Sequence, residues 1–167
     1  MGNLLLRIEQ LIQPVLRVLH MISNIILFLV AILITCDVIG RFFFNQPIKG
    51  AFELTEFGSA ILIFFALAVT HRHREHIVIG FAVDKLAHKP RHLTEGMIEL
   101  FVCVLLFLMG TSIFLEGIYI MNQNVITTDL QLPLYPFILL ISIGAFMFAL
   151  TALLESVKHF RRAVEKA

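Results

Sequence analysis

Long apolar segments dominate the pattern of hydrophobic and polar positions along the chain. The first runs over about 18–39 and has no acidic or basic side chain between His20 and Asp37. Two later segments, about 97–120 and about 130–154, have uncharged centres of at least comparable length. Since about 20 apolar residues cross the roughly 30 Å hydrocarbon layer of a bilayer as a helix, we predict transmembrane helices at these three places.

A further apolar segment is shorter, because its uncharged stretch covers only 57–70. Starting this helix at about Gly50 adds two turns that contain Glu53 and Glu56. Both acids then lie at the membrane edge, near the positive N-terminus of the helix. With a span over about 50–70, the sequence predicts an all-α integral membrane protein of four transmembrane helices in a single membrane domain.

Two other stretches have the pattern of helices that lie on the membrane surface. Apolar residues within 4–12 recur at helical spacing opposite polar ones, and Pro14 then permits a change of direction. The stretch 76–88 also groups most of its apolar residues on one side of a helix. A strand is the alternative there, although an unpaired strand has no partner in lipid. We expect short amphipathic helices before the first span and between the second and third.

Composition and charge place these helices in a membrane of defined sidedness. Hydrophobic residues make up 59% of the chain, more than the roughly 45–50% of soluble domains. All but two of the 13 basic residues lie in the N-terminal segment, the loop between the second and third spans, or the C-terminal tail. Lys and Arg near helix ends resist translocation. We therefore predict that both termini are cytoplasmic, and that Arg41 and Lys49 lie outside.

The predicted spans carry no Asp, Glu, Lys or Arg away from their rims. Channels and carriers usually keep such groups inside, facing a cavity, so we expect no autonomous transport. A group of histidines in and beside the basic loop between the second and third spans could indicate a haem or metal site. We interpret it instead as part of a solvated basic loop that contacts anionic lipid headgroups. The group comprises His71, His73, His76, His88 and His92. Without catalytic or phosphate-binding motifs, we expect no enzyme activity, no cofactor and no nucleic-acid partner.

The strongest polar constellation lies at the outer end of the first helical hairpin. Asp37 and Arg41 are one helical turn apart and can pair. Glu53 and Glu56 share a face of the second helix, and Asn45 lies in the connection. We predict an Arg–Glu clasp that closes the hairpin, the alternative being interfacial charges without fixed partners. Two further outer acids are candidates for partner contact: Glu116 and Asp129.

Helix contacts within a membrane favour small residues, which let two backbones approach closely. Such residues recur along one side of three predicted helices, as Gly58 and Ala66, Gly110 and Gly117, and Ala145 and Ala149. We expect these sides to form the helix interfaces.

Several motifs agree in order with a known family. The segments 41–47 (arginine, aromatics, asparagine), 50–56 (glycine and two acids), 73–79 (a basic connector) and 130–136 (leucines and prolines) resemble the small membrane subunit of tripartite ATP-independent periplasmic (TRAP) transporters, the DctQ family. The resemblance covers about 18–160. The chain departs from the family pattern in having no tryptophan.

The resemblance implies a complex in a bacterial inner membrane. In such complexes a large DctM-like subunit carries substrate and sodium by an elevator movement, and a periplasmic DctP-like binding protein delivers an organic acid. The small subunit would brace the scaffold, contact membrane lipids and help to dock the binding protein. A brace needs apolar bulk, whereas a carrier needs a midplane site. Two alternatives stay open: a stand-alone assembly or regulatory protein, and a homo-oligomeric small channel or carrier.

Overall fold

The computed structural model describes residues 2–72 and 88–165, with side chains over 10–71 and 93–161. Its helices are α1 (Gly2–Phe44), α2 (Ala51–Arg72), α3 (His88–Asn122) and α4 (Tyr135–Glu165). Each of the four is long and apolar enough to cross a membrane. Within the described ranges the secondary structure is helical apart from one isolated bridge between Ile126 and Pro133. The predicted all-α fold with four spans is confirmed.

The predicted break between a surface helix and the first span is wrong, because α1 continues through Pro14. A proline inside a helix removes one backbone hydrogen bond. Ile12 and Leu16, on either side of it, are both buried, so packing holds the helix together across this defect. The second predicted surface helix, 76–88, lies outside the described residues except for His88, where α3 begins.

The last helix begins later than predicted, at Tyr135 rather than near 130. Pro136 is its second residue, a position where the missing amide donor has no partner to lose. The residues before it form part of the connection from α3. The longer connection reaches the first turn of α2, where it contacts Glu53.

Helices α2 and α4 lie at the centre of the packing: among the described helices, α4 contacts α2 and α3, and α2 contacts α1 and α4. Glycines mark the crossings. Gly58 lies against Val30 of α1, and Gly144 lies against Phe65 of α2. Gly110 lies against Ala145 and Phe146 of α4. The predicted use of small residues at Gly58, Gly110 and Ala145 is confirmed, since these positions let neighbouring helices approach closely.

The outer helices keep much of their apolar surface uncovered. On α1, the buried residues Leu16, Leu19, Ser23 and Asp37 and the half-buried residues Ile26, Val30 and Leu33 fall on one seam with alternating spacings of three and four, typical of helices packed at a shallow angle. Apart from Ile12 and Gly40, the other residues of α1 with described side chains (10–44) are exposed, and so are many of those on α3. In a membrane, these surfaces face lipid or another protein.

Candidate functional site

The loop end of the molecule, formed by residues 45–50 and 123–134, is organised around Glu53 in the first turn of α2. The Asp129 amide donates to Glu53 Oε1 at 2.7 Å, and the Leu130 amide donates to Oε2 at 3.2 Å. Glu53 is buried. Hydrogen bonds to a charged acceptor are stronger than those between neutral groups, and a carboxylate also suits the positive helix N-terminus. Glu53 therefore attaches the α3–α4 loop to α2.

Gly50, the residue directly before α2, completes this attachment. Its φ angle is +74°, a backbone conformation that residues with a Cβ adopt at a cost. A Cβ at this position would also collide with the side chain of Leu130. Both the turn into α2 and the seat for the α3–α4 loop therefore require glycine here.

The α3–α4 loop is itself well ordered by hydrogen bonds. It starts where Asn124, with φ +50°, ends α3 in a left-handed conformation. The Thr127 amide donates to the Leu132 carbonyl at 2.8 Å, and the Leu134 amide donates to the Val125 carbonyl at 3.1 Å. The Leu132 amide donates to the Thr127 hydroxyl at 3.1 Å. These bonds form a small hairpin whose tip presents its amides to Glu53.

Asp37 performs a similar task for the α1–α2 loop. The Ile48 amide donates to Asp37 Oδ1 at 2.9 Å, while Oδ2 pairs with Arg41 Nη2 at 2.7 Å. The predicted Asp37–Arg41 pair is thus confirmed. Asp37 is buried whereas the Arg41 side chain is 59% exposed, so the carboxylate is the structural member of the pair.

The predicted Arg–Glu clasp is wrong. In the part of the chain that the structure describes, Arg41 pairs with Asp37, and Glu53 accepts backbone amides. Glu56 is exposed. The physical reason is that loop amides have no helix or sheet partners and must be satisfied when they are buried. They take the Glu53 carboxylate, and Asp37 is already one turn from Arg41.

The remaining candidates at the loop end divide into two groups. Asn45 has φ +54° and ends α1, and the following Gln46 amide donates to the Gly40 carbonyl at 3.3 Å. The role of Asn45 in the fold is to turn the chain after α1. Three acids have exposed side chains and are free to meet a partner: Glu56, Glu116 and Asp129.

The histidine end, formed by His71, Glu95, Glu99, Ser156 and His159, was not predicted from the sequence. His71 Nε2 lies 2.9 Å from Glu99 Oε2, which joins α2 to α3. His159 Nδ1 lies 2.9 Å from Glu95 Oε2, and the Ser156 hydroxyl donates to the Gly96 carbonyl at 2.9 Å. These two contacts join α4 to α3. At the histidine end, α2, α3 and α4 are thus held together by side chains.

His71 corrects one prediction directly. The interpretation of this residue as part of a solvated basic loop is wrong, because it lies in the last turn of α2 and is 4% exposed. Its ring contacts the Phe148 ring edge-on at 5.2 Å. His73 and His76 lie outside the described residues. Among the residues that the structure does describe, no group of three or more His, Cys, Asp or Glu side chains could hold a metal ion.

A weak sequence signal for the histidine end exists in hindsight. Glu95 and Glu99 are one helical turn apart at the start of an apolar span, and His71 and His159 each end another. Residues four apart share a helix face. Such spacing shows that the two acids point the same way, but it does not identify the helices opposite them.

The four apolar helices are those of a membrane protein, and at its two polar ends buried ionisable groups such as Glu53 and His71 join structural elements. The family model described as "Tripartite ATP-independent periplasmic transporters, DctQ component" matches residues 30–162. The chain belongs to this family and is therefore a component of a tripartite transporter, not an enzyme. Comparisons with curated proteins and with solved structures give no match.

Proposed function

We propose that this chain is the small, non-transporting membrane subunit of a bacterial TRAP transporter. It braces the static scaffold of a large, sodium-coupled, DctM-like elevator subunit, which takes up an organic acid. A periplasmic DctP-like protein delivers that acid. The chain forms one domain in the inner membrane with both termini in the cytoplasm.

The observation that carries the proposal is the chemistry of the span interiors. Between the loop end and the histidine end, the spans have hydroxyl groups but no charged side chains. Six of these hydroxyls bond to carbonyls of their own helix, as Thr35 does to Ala31 at 2.7 Å and Ser142 does to Leu139 at 2.7 Å. A carrier places polar groups or broken helices at the midplane to bind its substrate. A brace needs neither.

The distribution of rigid and exposed regions also supports a bracing role. Both ends are fixed by hydrogen bonds or ion pairs that cross between elements, as at Glu53 and His71. The outer helices α1 and α3 expose large apolar side chains, including Leu27 and Leu108. A stiff unit with apolar edges suits attachment to a larger membrane protein.

The proposed sidedness follows from the basic residues. Arg17 on α1 and Lys158 and Arg161 on α4 lie towards the histidine end, together with the basic N-terminal segment and the basic C-terminal tail. The loop end has only Arg41 and Lys49. By the bias of Lys and Arg towards the cytoplasm, the histidine end is cytoplasmic and the loop end is periplasmic.

Photocrosslinking in the assembled transporter tests the brace. A photoreactive residue is placed at Leu27 on α1 or at Leu108 on α3, which are 55% and 57% exposed, and at the fully buried Ala152 as the control. We expect at least one edge position, and not Ala152, to form an adduct with the large subunit. Absence of adducts at both edges contradicts the proposal. So does ion or solute flux through the chain reconstituted alone in liposomes.

The exposed acids of the loop end support a part in docking the binding protein. Replacing Glu116 by Gln and Asp129 by Asn together should reduce uptake more at low salt than at high salt, because salt screens steering between exposed charges. Asp129→Asn keeps the backbone amide that bonds to Glu53. Lys49→Gln removes a cation from the same end and should not weaken uptake. An equal effect at both ionic strengths would rule out steering by these acids.

A further inference from the structure

We propose that one face of α1 binds an anionic phospholipid, with the phosphate at Arg17 and an acyl chain along the helix towards Phe28. The residues concerned line a shallow concavity of about 500 Å³. The proposal goes beyond a role in the transporter, since it requires only that the chain lies in a bilayer.

The spacing of these residues places them on one side of the helix. Arg17, His20 and Asn24 follow one another at intervals of three and four, and Met21, Ile25 and Phe28 follow one another at intervals of four and three. Residues three and four apart are neighbours on a helix surface. The face is therefore polar at the end nearer the N-terminus and apolar beyond it.

The polar part has donors suited to a phosphate group. Arg17 is exposed and makes no ion pair with any residue that the structure describes, unlike Arg41, which is paired with Asp37. His20 Nε2 and Asn24 Nδ2 lie 3.3 Å apart, so two further polar side chains stand beside the guanidinium. None of the residues that line the concavity is acidic. A guanidinium presents several donors in a plane that matches phosphate oxygens.

The apolar part has the length of one leaflet. Met21 and Phe28 are 65% and 67% exposed, so the concavity is open along its side. At 1.5 Å per residue, Phe28 lies roughly 16 Å along the axis from Arg17. Half of a hydrocarbon core about 30 Å thick is close to that distance. A free phosphate would leave this apolar surface uncovered, whereas a phospholipid covers both parts.

Native mass spectrometry of the full chain, released from detergent after delipidation, tests the site. The probes are dioleoyl phosphatidylglycerol, dioleoyl phosphatidylcholine and inorganic phosphate. We expect wild type to retain phosphatidylglycerol about fivefold better than phosphatidylcholine, since one basic residue contributes about 1 kcal/mol to anionic-lipid binding. Arg17→Gln should abolish this preference, Arg17→Lys should keep most of it, and inorganic phosphate should not displace the lipid.

Lys49→Gln is the matched control, because it removes an exposed cation from the opposite end of the molecule and should leave the preference unchanged. An equal loss in Lys49→Gln would reduce the effect to overall charge and overturn the site. Equal retention of both lipids by wild type would also overturn it, as would displacement by inorganic phosphate.

A photoreactive residue at Ile25 in the assembled transporter provides a second arm. Adducts with phospholipid support the site, whereas adducts only with the large subunit show that protein covers this face and contradict it. Because the mass-spectrometric arm uses the chain alone, its outcome is independent of whether the chain braces a large subunit.

Discussion

The two ends of this molecule solve the same problem, joining helices across their tips, with different chemistry. At the loop end, the carboxylates of Glu53 and Asp37 accept backbone amides from connecting loops. At the histidine end, the carboxylates of Glu99 and Glu95 face imidazoles on neighbouring helices. Carboxylates are the central groups at both ends, but at the loop end their buried partners are main-chain amides, with the exposed Arg41 as an addition, whereas at the histidine end their partners are side chains.

The difference follows from where unsatisfied backbone groups occur. A loop has amides that no helix or sheet pairs, and buried ones must find an acceptor. The histidine-end groups lie within helices whose backbone groups already bond internally, so that end is free to use side chains. The stability of the loop end should therefore depend on carboxylates that accept loop amides, and the stability of the histidine end should depend on both members of each His–Glu pair.

The largest effect should come from Glu53→Gln, which breaks the backbone attachment at the loop end. An amide retains one acceptor oxygen but turns its NH2 group towards a loop amide, so one donor loses its partner. We expect hydrogen exchange of the Asp129 and Leu130 amides to accelerate about 150-fold, since hydrogen bonds to charged groups contribute up to about 3 kcal/mol.

Glu56→Gln is the matched control for this experiment, since Glu56 lies on the same helix but is exposed. Its effect on exchange at the loop should be negligible. Unchanged exchange in Glu53→Gln would show that the loop holds its position without the carboxylate.

Gly50→Ala should be nearly as disruptive at the same end. The positive φ angle and the collision with Leu130 together should lower the free energy of unfolding by about 3 kcal/mol, measured by equilibrium unfolding in mixed micelles. Adding Leu130→Ala removes the collision but not the backbone strain, so the double variant should recover only part of the loss. Full recovery would mean that the φ angle is not a constraint.

At the histidine end, Glu99→Gln should lower the free energy of unfolding by about 2 kcal/mol, because His71 loses a charged partner. A double-mutant cycle with His71→Ala measures the coupling between the two residues. We expect the two losses to be clearly non-additive. Glu116→Gln, an exposed acid near the other end of α3, is the control and should have little effect. Additive losses would show that the two side chains do not act as a pair.

The smallest effect should be that of Arg41→Gln, which should lower the free energy of unfolding by less than about 1 kcal/mol, because Arg41 is the exposed member of its pair.

Exchanging the residues at positions 41 and 53 should not restore assembly lost in Glu53→Gln, since an arginine at 53 cannot accept loop amides. Restored assembly in the exchanged variant would support a direct Arg41–Glu53 pair and contradict the separate contacts of Arg41 with Asp37 and of Glu53 with the loop amides.

The sequence by itself determined the parts of this protein that depend on local spacing. Apolar runs identify four spans, a separation of four residues pairs Asp37 with Arg41, and small residues such as Gly58 and Gly110 identify helix interfaces. All of these follow from the geometry of a single helix. The same reasoning failed at Pro14, because burial on both sides of the proline is a property of the packed molecule.

Only the tertiary structure decided which elements meet at the two ends. Glu53 bonds to amides 76 and 77 residues later in the chain, and His71 pairs with an acid on another helix. Helical periodicity gives the face on which a side chain lies but not what stands opposite it. The identity of the opposite group depends on the path of the loops and on how α4 packs between α2 and α3. Residues such as Glu53 and His71, which the sequence places at the rims of the spans, therefore connect separate elements of the fold.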